Sequence, residues 1–425
     1  MPQFRYGLPQ GDANRRWRVP PAIPSAPGDE VMEGLNVLDE LPGEPGLVLW
    51  QALRDVLLWA GASPEARSGL FPAAAETARV AAMLAAPVPR ELEPALMTLA
   101  RLGARGLLEE PVALACREIS QWLDERGLLA SALAFAHAAA SVAVGDAGAA
   151  FAVGRLARRR AENARAEAWF NRSVVLARQA GDWGTCVRAY MGLGVLHVQR
   201  GALPAARRAR LRALRAARTG ATPDYAALVL HDLFLLAVEM GDCARADEYA
   251  AAAYAAYSST HARIPVLAHD VAYYWTTQGG FAHALPVLEG VLPRLPGERL
   301  CVLSVLARAA GGAGRRDRFD SAWDAVWSEI GNDAAGEKTA AVLLDLAHGA
   351  VSLKDWVRAE IAASQALALA TARGEARVRL TAEALLDCAV HHRGVEARTR
   401  AARAAASDRA AAALAAELVS ALSAA

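Results

Sequence analysis

The sequence predicts an all-α fold, a solenoid of antiparallel helix pairs, and three observations carry that reading. Its 425 residues are 54% hydrophobic yet only 6% aromatic. Alanine runs such as AFAHAAASVAV and EYAAAAYAAY favour close-packed helices, because alanine has the highest intrinsic helix propensity. Turn residues come at helix-length intervals, and the period-two alternation of β-branched residues that marks a strand is missing. Beyond residue 113 a glycine, a turn and an alanine recur together at nearly fixed spacing, which is the mark of an array whose core extends from unit to unit.

Taken in order, residues 1–46 hold much of the proline, in RVPPAIPSAPGDE and LPGEPG. Proline lacks the amide donor and clashes with the preceding turn, so this stretch reads as an extended arm. Phe4, Tyr6 and Trp17 lie in it. Each is worth roughly 1.5 to 3 kcal/mol if buried, so the arm is expected to lie along its own solenoid or against another protein. Residues 47–112 form an N-terminal helical region, read from LVLWQALRDVLLWAG, PAAAETARVAAMLAA and RELEPALMTLARLG between Gly, Pro and Ser-Pro breaks. Residues 113–390 carry the repeats. Residues 391–425 read as capping helices that cover the last apolar face of the stack.

Within the array the turn slot is filled by Gly127, Ala161, Gly201, Gly241, Gly279, Gly314 and Lys354. Five residues later stand Ala132, Ala166, Ala206, Ala246, Ala284, Phe319 and Ala359, at steps of 34, 40, 40, 38, 35 and 40 residues. Eight residues before the turn comes an apolar residue and then a small one, as in Val153-Gly154, Leu193-Gly194 and Leu346-Ala347; Leu233-Phe234 breaks the rule. The reason is steric: two antiparallel helices joined by a short turn approach closely only where one presents a small side chain.

On these slots the chain resembles a tetratricopeptide-repeat protein, whose unit carries Leu-Gly, a turn residue, Ala, an aromatic and another Ala in this order. ENARAEAWFNRSVVLARQAGD matches with Ala166, Phe170 and Ser173, and LGVLHVQRGALPAARRARLRAL matches apart from Arg210 where an aromatic is expected. The likeness covers about residues 113–390. It implies a right-handed superhelix whose concave groove binds a protein or peptide.

Two stretches, ALVLHDLFLLAVEMGD and VLAHDVAYYWTTQGG, each place a His-Asp pair ten residues ahead of a glycine. The 38-residue step from His231 to His269 equals that from Gly241 to Gly279, so the pairs are register mates. A metal-dependent phosphohydrolase would need further ligands converging from other helices, and none is legible. His231, His269, Asp232 and Asp270 are therefore expected to line the groove, continued by Leu235, Glu239, Tyr273 and Thr277, then Arg308 and His348. In peptide-binding members of the family the slot of Asp232 and Asp270 commonly holds Asn, which grips a ligand's backbone; an ionised Asp accepts but cannot donate, favouring amides or positive charge. At the other end Phe151, Arg155, Arg158, Arg159 and Arg188 make the groove basic.

Formal charge is +1, so no global field draws the molecule to nucleic acid or anionic lipid. Residues 150–220 nevertheless hold fifteen arginines against three acids, and residues 221–300 four against nine. In PAARRARLRALRAARTG, Arg208, Arg212 and Arg215 follow helical spacing on one face while Arg207, Arg210 and Arg218 spread around the cylinder, and no aromatic lies among them for base stacking, which speaks for a solvated outer helix and against nucleic acid. Five scattered cysteines without a CxxC pair read as buried thiols of a reducing, cytoplasmic compartment. No membrane span is legible. GGAGRRDRF lacks the Lys-Ser/Thr ending of a phosphate cradle, and the adjacent imidazoles of HHRG point about 100° apart on a helix. No catalytic residue, cofactor site or metal site is assigned, and no enzyme is expected. The expected function is a bacterial scaffold or adaptor acting on a protein, a peptide or a second copy of itself through the groove and arm. The alternative is a ligand-sensing regulatory module acting through a transcriptional partner.

Overall fold

The computed structural model describes residues 30–424 apart from 68, 104–106, 259, 331–337 and 394–404. Helix α1 (Glu30–Glu40) falls inside the stretch expected to be extended and corrects that expectation. Prolines stop at Pro27 and resume at Pro42, so the segment between them keeps every amide donor a helix needs. Then come α2 (Glu44–Gly61), the single turn α3 (Pro64–Arg67), α4 (Ala73–Ala85) and α5 (Glu93–Ala100). Arg79 of α4 reaches the buried Asp55 of α2 at 3.3 Å and the Ala100 carbonyl of α5 at 3.1 Å, tying the three helices together. Phe4, Tyr6 and Trp17 lie outside the described residues.

Seven hairpins follow: α6 (Glu109–Glu125) with α7 (Leu129–Val142), α8 (Ala147–Arg159) with α9 (Asn163–Ala180), α10 (Trp183–Gln199) with α11 (Leu203–Thr219), α12 (Pro223–Glu239) with α13 (Cys243–Ala256), α14 (Ile264–Thr277) with α15 (Phe281–Val291), α16 (Arg299–Gly312) with α17 (Arg316–Ile330), and α18 (Thr339–Ser352) with α19 (Trp356–Arg373). Helices α20 (Ala376–Val390) and α21 (Ala405–Ala424) complete the chain, and no strand occurs among the described residues. The protein is thus an all-α solenoid of antiparallel helix pairs. None of its described helices is long and apolar enough to cross a membrane.

Each hairpin closes in the same way. The turn residue has positive φ in all seven, including the two that are not glycine, Ala161 at 60° and Lys354 at 58°. The following amide then reaches back five residues into the first helix, as in Asp242 N to Ala237 O and Asp355 N to Ala350 O, both 2.9 Å. This is the Schellman closure, which satisfies carbonyls that the helix end leaves bare. Asp242 and Asp355 also cap the second helix, accepting from the amides of Arg245 and Arg358.

The small-residue slots form the seam between the helices. Ala132, Ala166, Ala206, Ala246, Ala284, Phe319 and Ala359 are all fully buried. A Cβ added at Gly154 would stand 2.8 Å from the Phe170 ring, so glycine there is what admits the aromatic. Where Phe234 occupies the small slot, the aromatic slot on the partner helix holds Ala250, and both are buried; bulk has moved from one helix to the other. Arg210 takes the aromatic slot with its aliphatic stem, whose Cγ lies 3.1 Å from where a Cβ on Gly194 would sit.

The chain divides into two compact units, Met1–Tyr225 and Ala226–Ala425, the boundary falling in the first turn of α12. In the first unit α1 and α2 pack on α7. The Glu40 carboxylate accepts from the amides of Ala130 at 3.0 Å and Ser131 at 2.8 Å, at the positive N-terminal end of α7.

In the second unit α21 corrects the expectation of a terminal cap: it packs on α13, α14 and α15, not on the end of the stack. His283 meets Asp408 at 3.0 Å and Tyr254 donates to the Glu417 carbonyl at 3.1 Å. The stack is ended by α20 itself. Its Asp387 is exposed at the slot where Leu196, Leu236 and Tyr274 are buried, so its outer side is polar. The cysteines are also less uniform than expected: Cys116 and Cys186 are buried, but Cys243 is exposed.

Candidate functional site

In the second unit, the first helices of successive hairpins bring the two His-Asp stretches together. Nε2 of His231 lies 2.9 Å from Asp270 Oδ2, and Nδ1 of His269 lies 3.3 Å from Asp270 Oδ1. A carboxylate only accepts, so each contacting imidazole nitrogen carries the proton. Burial pushes the Asp270 carboxyl up, but the hydrogen bonds and charge of His231 and His269 outweigh it and hold the group below its ordinary value. The same device recurs on α18, where Asp345 takes Arg308 Nη1 at 2.9 Å and Ser304 Oγ at 3.4 Å. There burial dominates over Arg308 and Ser304 and pushes the carboxyl up.

These contacts correct the expected groove. His231 is only 4% exposed, so it packs between helices and does not face a ligand. Asp270 has both oxygens occupied by imidazoles and staples one hairpin to the next; it is not a free grip for a ligand's backbone. Asp232 and His269 are half-buried. The Thr277 hydroxyl donates to the Tyr274 carbonyl at 2.7 Å, within its own helix.

The slot six residues before the turn is filled in succession by Leu235, Tyr273, Arg308 and His348, of which the first two stand open and the last two are half-buried. Leu235 is 42% and Tyr273 40% exposed. Burial raises the Tyr273 hydroxyl above its ordinary value, with Asp345 adding to the rise and Arg308 and Arg377 opposing it. Burial, helped by the charge of Arg308, pushes the His348 imidazole down to about 3, so this ring is neutral. At the rim, Glu239 of α12 lies 3.9 Å from Arg377 of α20, and the first helices of this unit therefore curve back towards one another. On this face Asp270 is answered by His231 and His269 and Asp345 by Arg308, and Leu235 and Tyr273 stand exposed.

The first unit holds the basic residues. Arg155 Nη1 meets Asp124 Oδ2 at 2.7 Å, and Arg159 pairs with the other oxygen of the same carboxylate. Arg188 lies 5.0 Å over the Phe151 ring and donates to Thr185 Oγ1 at 2.7 Å. Arg158, half-buried, has no acidic partner among the described residues. Burial and the neighbouring Arg155 charge lower its affinity for its proton. On α11, Arg208, Arg212, Arg215 and Arg218 are exposed, as a solvated outer helix requires.

Sequence reasoning missed Asp124, Ser304 and Arg377. Asp124 stands three residues before Gly127, so the turn register could have found it. Arg377 had no such signal, because it meets Glu239 only through the curvature of the stack. No group of three or more His, Cys, Asp or Glu side chains that could hold a metal occurs among the described residues. The histidines at 391 and 392 lie past the end of α20 and not on a helix as expected: His391 pairs with Asp387 at 3.0 Å, whereas His392 stacks on Trp356.

No family model matches the chain, and no curated protein does. Among solved structures it is similar to the apo form of RapI, at 12% identity over 66% of this chain and 97% of that one, with a TM-score of 0.44. The Cut9-Hcn1 hetero-tetramer of APC/C gives 17% identity over 71% of this chain and 57% of that one, with a TM-score of 0.46. A Rap protein complexed with Competence and Sporulation Factor gives 10% identity over 81% and 99%, with a TM-score of 0.45.

Proposed function

We propose that the protein is a non-catalytic scaffold of the tetratricopeptide type, which holds an extended protein segment against the inner faces of its hairpins. The observation that carries this reading is the pair Leu235 and Tyr273, exposed at the same slot of adjacent first helices. Around them the charged groups are already paired, His231 and His269 with Asp270 and Arg308 with Asp345. A large aromatic left open on a surface is a feature of binding hot spots, which are enriched in Trp, Tyr and Arg. The segment that fits here brings apolar side chains to the ridge between Leu235 and Tyr273.

The test is affinity capture from the native host's extract with the unmodified protein, Tyr273→Ala and, as an outer-face control, Val357→Ala on α19. The proteins held by the unmodified chain and by the control should be lost by Tyr273→Ala at unchanged helicity. Retention by Tyr273→Ala overturns the reading. A partner captured in fixed stoichiometry marks a scaffold; a short peptide that co-purifies marks the sensing module instead.

A further inference from the structure

In the first unit, the slot three residues before the turn lies between one hairpin and the next. On α6 this slot holds Asp124, and the carboxylate is clamped by Arg155 and Arg159 from α8, six and two residues before the next turn. The chain thus seats a carboxylate of its own in this register. One hairpin later the slot holds Arg158, and the positions six and two before the following turn are Val195 and Gln199. No charge answers it there. Arg155 sits on the same helix and adds repulsion, and Arg188 on α10, which is exposed, places a further guanidinium over Phe151 of that helix.

We propose that Arg158 is the seat for a carboxylate side chain of a bound protein segment, completing from outside the ion-pair ladder that Asp124 completes from inside. The proposal rests on the scaffold reading and deepens it by naming the ligand chemistry at this unit: an acidic segment. Guanidinium and carboxylate match in planar, bidentate geometry. An arriving carboxylate meets this guanidinium without having to displace an internal acidic partner. Nucleic acid is the weaker fit, because Phe151, the aromatic beside the cluster, is already covered by Arg188 and is not open to stack on a base.

The experiment is fluorescence polarisation of fluorescein-labelled hexaglutamate at low ionic strength, with the full chain, Arg158→Gln, and Arg212→Gln on the outer face of α11. Arg158→Gln should weaken binding at least tenfold and Arg212→Gln less than twofold. Without the peptide, Arg158→Gln should melt at the same temperature as the unmodified chain or higher, since it removes a charge that nothing in the fold answers. Equal losses in both variants would reduce the effect to diffuse charge and overturn the proposal, as would absence of hexaglutamate binding or tighter binding of hexathymidylate. None of these outcomes depends on Tyr273, so the scaffold reading survives or fails on its own test.

Discussion

His348 shows how one side chain couples the inner face of the second unit to pH. Its folded-state pKa of about 3 lies well below the ordinary 6.5, so the unfolded chain takes up the proton first as the pH falls. The stability it lends is therefore complete above about pH 6.5 and lost progressively on the way down to about 3. Among charged groups, Arg308 directly opposes its protonation. Urea denaturation at pH 8 and pH 5 should show a loss to which His348 contributes roughly 1–2 kcal/mol, and His348→Gln should shrink that loss by about this amount. An unchanged difference would assign the acid sensitivity to other groups. The slot of the residue was legible from the turn register; its neutrality was not, because burial beside Arg308 depends on how closely α16 and α18 approach. The same limit explains Asp270: spacing placed it beside His269, while its capture by His231 required the pitch between hairpins.

At the scale of the element, the turn slot was the most legible feature, since glycine at five of seven positions announces a left-handed backbone and the alanine five residues later confirms the register. Among the seven turns, Ala161 and Lys354 are the two where the local sequence and the local conformation disagree. Both adopt positive φ, at 60° and 58°, where a Cβ crowds the following carbonyl at about 1–2 kcal/mol. Part of that cost is offset, because glycine loses more freedom on folding. Ala161→Gly and Lys354→Gly should each stabilise the chain by about 0.5–1 kcal/mol in urea denaturation, and Gly241→Ala should destabilise it by about 1 kcal/mol. Stabilities that move the other way would mean that the closure is held by contacts outside the turn. The α1 helix was less legible than the turns, because the proline-dense flanks hid a short segment whose end is fixed by Glu40 on the distant N-terminus of α7.

At the scale of the whole molecule, α21 separates two ways in which a helical array can be completed. A capping helix would lie on the last stacked face and protect α18 to α20. Instead the last stacked helix carries its own polar side, and α21 buries Leu414, Leu418 and Leu422 while packing on α13, α14 and α15. Its seat on α15 is shaped for it: a Cβ added at Gly290 would stand 3.2 Å from the Leu422 side chain. The sequence showed that a terminal helix exists but not where it docks, because an alanine-rich face with leucines at helical spacing fits any apolar surface of the right width. Removing residues 394–425 should therefore leave α18 to α20 as they are and expose the outer side of α13 and α15. Hydrogen exchange followed by mass spectrometry reads this directly: amides of α13 and α15 should exchange faster in the shortened chain, and those of α18 to α20 at unchanged rates. Faster exchange confined to α18 to α20 would restore the terminal cap. Because hairpins in such arrays are stabilised mainly by their neighbours, a loss that starts at α13 and α15 should spread first to α14, which packs on both helices and on whose inner side Asp270 and Tyr273 sit. The helix on the outer face would then support the ridge on the inner one.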